Sequence, residues 1–257
     1  MDSRDLRWLL KQSLRLSPPL TRKRGLREDP AALFGNLDAE ALQRLQTLQQ
    51  RYRLSDWPRL CVAMEYRENL TLLDLLDRCV PPPAAGARGL DVGCRNFSYL
   101  PALSAFSGGR WDGSELDAHA RYWNGLTRRA YGEWMARQRA GCRYLPGSVL
   151  HWRDRYDLIV WLLPFVVEEP LRWWGLPQRF FQPLVLLRHV HGLLQPGGTL
   201  LIVNQGEAEA DVQQALLDHA GLQATALGEL QSPFSPFRHR RFGWLLRAGL
   251  APATLPP

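Results

Sequence analysis

From residue 88 to residue 247 the sequence alternates short apolar runs with longer stretches of helical periodicity. That alternation constrains the fold more than any other feature, because each parallel strand must return through a crossover, usually a helix. The apolar runs predict strands at 88–92, 110–113, 143–145, 157–162 and 199–203, and an antiparallel pair at 223–227 and 242–247 closes the sheet. Helices fit between them, notably at 117–139 and 183–194. A chain of 257 residues, 46% hydrophobic and 22% charged, is long enough for one such core with a helical appendage. It is too short for three ordinary domains.

The appendage ends at Pro81-Pro82-Pro83-Ala84-Ala85-Gly86, which reads as a stiff linker over 81–87, since proline fits neither a helix interior nor a central strand. Residues 1–80 are therefore a helical extension and 88–250 the α/β domain. Leu6, Leu9, Leu10 and Leu14 recur at helical spacing, with Arg4, Arg7, Lys11 and Arg15 on other faces. The leucine stripe is expected to dock on the main domain, a membrane surface being the alternative. Pro18 and Pro19 end that helix, Asp38 caps another through Leu42, Leu45 and Leu48, and a third precedes the prolines.

No run reaches the roughly 18 apolar residues of a membrane span, and the start, Met1-Asp2-Ser3-Arg4-Asp5, lacks the order of a secretory signal. A cytoplasmic location is the expectation. Cys61, Cys79, Cys94 and Cys142 are far apart, form no CxxC pair and suggest no metal site, so they read as reduced thiols in packing roles. The net charge of +7 comes almost wholly from arginine, Lys11 and Lys23 being the only lysines. These basic residues are scattered, which does not favour a nucleic-acid stripe.

Chemistry in an open α/β sheet gathers beyond the carboxyl ends of the strands, where the strand order reverses. The first such loop reads Gly89-Leu90-Asp91-Val92-Gly93-Cys94-Arg95-Asn96-Phe97, and the second strand ends Trp111-Asp112-Gly113-Ser114-Glu115-Leu116-Asp117. Tyr156-Asp157-Leu158-Ile159-Val160-Trp161 follows, then Leu193-Leu194-Gln195-Pro196-Gly197-Gly198-Thr199-Leu200-Leu201-Ile202. Together these phrases resemble the class I S-adenosylmethionine methyltransferases. The resemblance implies a Rossmann-like, mostly parallel seven-stranded sheet with an antiparallel edge, preceded by the helical extension. It also implies S-adenosylmethionine as cofactor, with Glu115 accepting from both ribose hydroxyls, a task that suits a carboxylate's two acceptor oxygens. Asp91, Gly93, Leu116, Ser148, Val149 and Trp161 complete the implied cradle. Gly197 and Gly198 are expected to supply positive φ before the fifth strand.

The sequence departs from that family where it writes Arg95 and Phe97 in place of two glycines. Arg95 either faces solvent or pairs with the cofactor's methionyl carboxylate. After the third strand Gly147-Ser148-Val149 stands where an acid often reads adenine, and Leu162-Leu163-Pro164-Phe165 replaces the Asn-Pro-Pro-Tyr of amino-group methyltransferases. The next stretch suggests a lid, with Glu168 or Glu169 as candidate bases and Trp173 and Trp174 as acceptor contacts or packing groups. Asn204 and Gln205 are candidate acceptor contacts after the fifth strand. His189 and His191 sit in the preceding helix, remote from the strand ends, and read as packing or surface groups. The functional expectation is methyl transfer to a small-molecule acceptor. The rivals are a catalytically silent binding or scaffold module, an RNA methyltransferase and, lacking GxGxxG, a nicotinamide enzyme.

Overall fold

The computed structural model describes residues 3–13 and 17–249. Leu14 and Arg15 of the N-terminal pattern lie outside the described residues. The extension comprises α1 (Ser3–Ser13), α2 (Ala39–Arg51), α3 (Trp57–Leu60) and α4 (Ala63–Cys79). Asp38 caps α2, its carboxylate accepting from the Ala41 amide at 2.8 Å. The α/β part then runs β1 (Arg88–Val92), α5 (Leu100–Ser107), β2 (Arg110–Glu115), α6 (Arg128–Ala136), β3 (Arg143–Pro146), β4 (Tyr156–Leu162) and α7 (Glu168–Trp173). It closes with α8 (Pro183–Gly192), β5 (Leu194–Gln205), α9 (Gly206–Ala220), β6 (Ala224–Glu229) and β7 (Arg241–Arg247).

The seven strands lie in the order β3-β2-β1-β4-β5-β7-β6. β1 to β5 are parallel, and β7 runs antiparallel to both neighbours. The order reverses between β1 and β4, so their carboxyl ends frame the crevice where such sheets bind ligands. One face of the sheet carries a core that includes Leu48, Trp57, Leu70 and Leu76 of the extension together with Phe97, Leu103 and Trp111. The other face packs α8 and α9 through Leu187, Val190 and Leu217. Residues before the proline linker thus share the central core.

Asn69 of α4 fixes that helix beside the first loop. Its buried amide donates to the Ser98 and Glu65 carbonyls at 2.8 Å and accepts from the Ala102 amide at 2.9 Å. A fully satisfied buried amide sets both position and rotation of the helix, and so places Glu68, one residue earlier, toward the strand ends.

Three expectations from sequence need correction. The apolar stripe of α1 does not dock: Leu6, Leu9 and Leu10 are about half exposed. The helix is held instead by Trp8, buried with Leu171, Leu176 and Phe180, and by ion pairs of Asp5 with Arg179 and Lys11 with Asp117. The receiving surface offers one indole-sized slot flanked by charges, so the polar side of the helix faces inward. Second, residues 117–139 are not one helix. Trp123-Asn124-Gly125 makes a turn with Gly125 at φ 80°, and α6 begins only after Thr127, whose hydroxyl accepts from the Ala130 amide at 3.1 Å. Third, only Gly197 has positive φ, 78°. A Cβ on Gly198 would lie 2.9 Å from the Gln195 carbonyl and 3.0 Å from that of Tyr156, so close approach requires this glycine. The strand starts early because Leu194 pairs with Tyr156 before the irregularity.

Candidate functional site

A cavity of about 450 Å³ opens over the carboxyl ends of β1, β2, β4 and β5, within the range typical of small-molecule sites. Its floor is the loop after β1. Gly93 turns at φ 72° and donates to the Ser114 carbonyl at 2.9 Å; a Cβ there would meet nothing within 4 Å. The backbone surface is therefore open above this glycine.

Arg95 and Phe97 keep left-handed conformations, φ 51° and 60°, although they are not glycine. The Arg95 amide donates to Glu115 Oε2 at 2.8 Å, and its carbonyl accepts from the Tyr144 hydroxyl at 2.7 Å, which locks the loop from both sides. Phe97 turns away from the cavity and is fully buried. Gly113 makes room for it, since a Cβ there would come within 2.8 Å of Phe97 and of Cys94 Sγ. The Arg95 side chain lies along the cavity wall, with Nη2 3.4 Å from Glu68 Oε2 and the guanidinium 5.9 Å from the Tyr99 ring centre. Leu163, at the end of β4, has φ 55°. Among the described residues these are the non-glycine positions with positive φ, and all three belong to the cavity or its floor, the pattern expected of a built site.

Four carboxylates, Glu68, Asp91, Glu115 and Glu209, line the cavity, and two of them stand at the strand ends. Asp91 is buried and its Oδ2 has no hydrogen-bond partner among the described residues. Burial pushes it up to about 7, with Arg95 opposing and Glu115 adding to the rise. Glu115 accepts from the Arg95 amide through Oε2 and from the Asp117 amide through Oε1 at 2.7 Å, with Arg128 Nη1 at 3.4 Å from the same Oε1. Burial raises its affinity for a proton against Arg128 and those two amides. Its carboxylate has acceptor capacity beyond these contacts. Ser148 caps the turn into Val149, its hydroxyl accepting from the Leu150 amide at 3.3 Å, and both residues face the cavity with Leu116 and Trp161.

No protein-family profile matches the chain, and no curated protein matches it. Solved structures do. A methyltransferase from Pyrococcus furiosus superposes with TM-score 0.50 at 14% identity, covering 71% of this chain and 83% of that one. A SAM-dependent methyltransferase from Aquifex aeolicus gives 0.49 at 14%, covering 86% and 99%. The N-methyltransferase NodS from Bradyrhizobium japonicum, solved with S-adenosylhomocysteine, gives 0.48 at 15%, covering 80% and 98%. The fold is that of a class I methyltransferase. At such identity the likeness speaks of fold alone.

Within this methyltransferase fold, the other residues singled out from sequence separate into two groups. Trp173, Trp174 and Gln205 line the cavity, whereas Glu168, Glu169 and Asn204 do not. Glu168 instead pairs with Arg172 along α7 at 2.7 Å. Asn204 is fully buried with neither side-chain atom partnered among the described residues, and strand alternation turns it away from Gln205. Trp174 stacks under the Arg128 guanidinium at 4.4 Å and meets Phe165 edge-on at 6.1 Å, so the segment after β4 is tied to Glu115 through Arg128. Trp173 is 83% exposed at the mouth. His189 Nε2 donates to the Val149 carbonyl at 3.0 Å.

The sequence reading overlooked Glu68, Tyr99, Glu209 and Arg241, which line the same cavity from α4, the first loop, α9 and β7. Each sits among other polar residues of its own element, with no motif to set it apart. The one available signal was Arg241, a charged residue directly before the apolar run Phe242 to Leu246.

Proposed function

We propose that this chain binds S-adenosylmethionine in the cavity and transfers its methyl group to a small-molecule acceptor. The observation that carries the reading is the convergence of Asp91, Gly93 and Glu115 on one cavity at the switch point of the sheet. The residues suit the cofactor on three counts. The unpartnered Asp91 Oδ2 needs a cationic or N–H donor, which the methionyl ammonium offers. The Glu115 carboxylate can accept a vicinal diol in addition to its present contacts. The open space above Gly93 admits a ligand against the backbone.

In this reading Leu116, Ser148 and Val149 hold the adenine, Glu115 the ribose, Asp91 the ammonium and Arg95 the carboxylate. When bound, the cofactor supplies a methyl group on a sulfonium leaving group. The chain's own task is then positioning and water exclusion. Phe165, Trp174 and Leu176 wall the cavity with apolar surface, and Leu162 to Phe165 contribute no side-chain amide to orient a nitrogen. Tyr99, whose proton is held firmly by burial, acts as a hydrogen-bond donor to the acceptor.

Calorimetric titration with S-adenosylhomocysteine tests the reading. Binding by the wild type, weakened in Glu115→Ala and Asp91→Asn, is the expected result. No binding by the wild type at millimolar ligand overturns it. An Glu115→Ala variant as tight as wild type removes the ribose assignment.

A further inference from the structure

Beyond the cradle, the β5–β7 side of the cavity holds an arginine with no acid to match. Arg241 opens β7 directly opposite Gln205, the last residue of β5, and both line the cavity. Its Nη1 donates to Gln205 Oε1 at 2.6 Å, and its guanidinium stacks 4.8 Å from the Phe237 ring centre. Among the described residues no carboxylate lies within ion-pair distance of it. The nearby acids are committed elsewhere: Glu68 Oε2 to Arg95 at 3.4 Å, and Glu209 Oε2 to the Gln205 amide at 2.9 Å.

A half-buried guanidinium with one donor satisfied by a neutral amide is costly unless an anion completes it. Burial lowers the proton affinity of Arg241 below that of an ordinary arginine, against the opposing pull of Tyr99 and of the more distant Glu209 and Glu68. Stacking on Phe237 fixes the plane of the fork, so its free N–H groups present a preset bidentate face. The cavity it lines also carries the apolar Leu230 and Phe237, with Ser232 and Ser235 between them in sequence.

We infer that Arg241, oriented by Gln205 and Phe237, is an anion receptor in the acceptor half of the cavity, and that the methyl acceptor is a small acid with an apolar body bearing a carboxylate or a phosphate. This rests on the methyltransferase reading for the word acceptor. The anion site itself does not.

The test titrates the protein, with and without S-adenosylhomocysteine, with benzoate, phenyl phosphate and the uncharged benzamide. At least one of the two anions binds the wild type more tightly than benzamide by about tenfold or more, the range of a charge-assisted hydrogen bond. Which anion is preferred separates a carboxylate acceptor from a phosphate. Arg241→Gln loses that preference while Arg241→Lys keeps part of it, and S-adenosylhomocysteine affinity and the melting temperature show that both variants are folded. Equal affinity for benzamide and both anions, no anion binding by the wild type, or anion preference intact in a folded Arg241→Gln variant overturns the inference. Failure of S-adenosylhomocysteine binding with the anion preference intact overturns only the cofactor reading.

Discussion

Arg95 and Phe97 occupy the two positions where the related loops carry glycine, and both adopt a glycine-like conformation at a cost of about 1–2 kcal/mol each. They are compensated differently. Phe97 fills the core beneath the loop, and losing a buried ring costs about 3–5 kcal/mol, more than the strain it brings. Phe97→Gly is therefore expected to destabilise by roughly 2 kcal/mol or more in urea unfolding. Arg95 gains only a partly exposed pair with Glu68, so Arg95→Gly changes stability by less than about 1 kcal/mol while weakening S-adenosylhomocysteine binding. Asp91 supplies the pH signature. Its carboxyl, near 3.8 when unfolded, is pushed up to about 7 in the fold, so the native state holds the proton more tightly. The stability this confers is fully present below pH 4 or so and is lost as pH rises through about 7. A ligand ammonium favours the ionised form, so affinity for S-adenosylhomocysteine rises across the same upper limit. Asp91→Asn is expected to flatten both profiles, as followed by melting temperature and calorimetry at several pH values.

At the scale of elements, α1 shows how periodicity misleads. Leu6, Leu9 and Leu10 make the regular stripe, yet Trp8 makes the contact, because the receiving slot among Leu171, Leu176 and Phe180 fits one flat ring. Trp8→Ala is expected to release α1 to limited proteolysis, whereas Leu9→Ser leaves the cleavage pattern unchanged. Strand β1 was legible to the residue, since the Leu90 and Val92 run is central and bounded by punctuation on both sides. The helix expected over 117–139 was not, because Trp123-Asn124-Gly125 carries a turn whose signal is outweighed in a window of alanines and arginines. The place of Asp91, Gly93 and Glu115 at the cavity could be read because they lie in contiguous strand-end phrases. Glu68, Tyr99, Glu209 and Arg241 come from four separate elements, and only the sheet order brings them together. No periodicity encodes that convergence.

For the whole molecule, one end of the sheet carries a buried charge network and the other carries the cavity. Asp112, buried in β2, accepts from Arg88 at 2.9 Å, from Arg143 at 2.6 and 2.8 Å, and from the Tyr156 hydroxyl at 2.9 Å. Asp154 completes the network by pairing with both arginines. One carboxylate thus ties β1, β3 and β4 to β2. Glu115 lies three residues further on, roughly 10 Å along the strand and on its opposite face. Removing one member of a buried charge network strands the others, at a cost of about 3–5 kcal/mol. Asp112→Ala is therefore expected to lower the urea midpoint sharply while, at a temperature where the variant is folded, leaving S-adenosylhomocysteine affinity within about twofold, as for weakly coupled distant sites. Glu115→Ala is expected to lose S-adenosylhomocysteine affinity far more steeply, and to cost stability as well, because it strands the Arg95 and Asp117 amides that its carboxylate accepts from. If Asp112→Ala lost affinity as steeply as stability, the cavity would depend on the rigidity of the entire sheet rather than on the strand ends that line it.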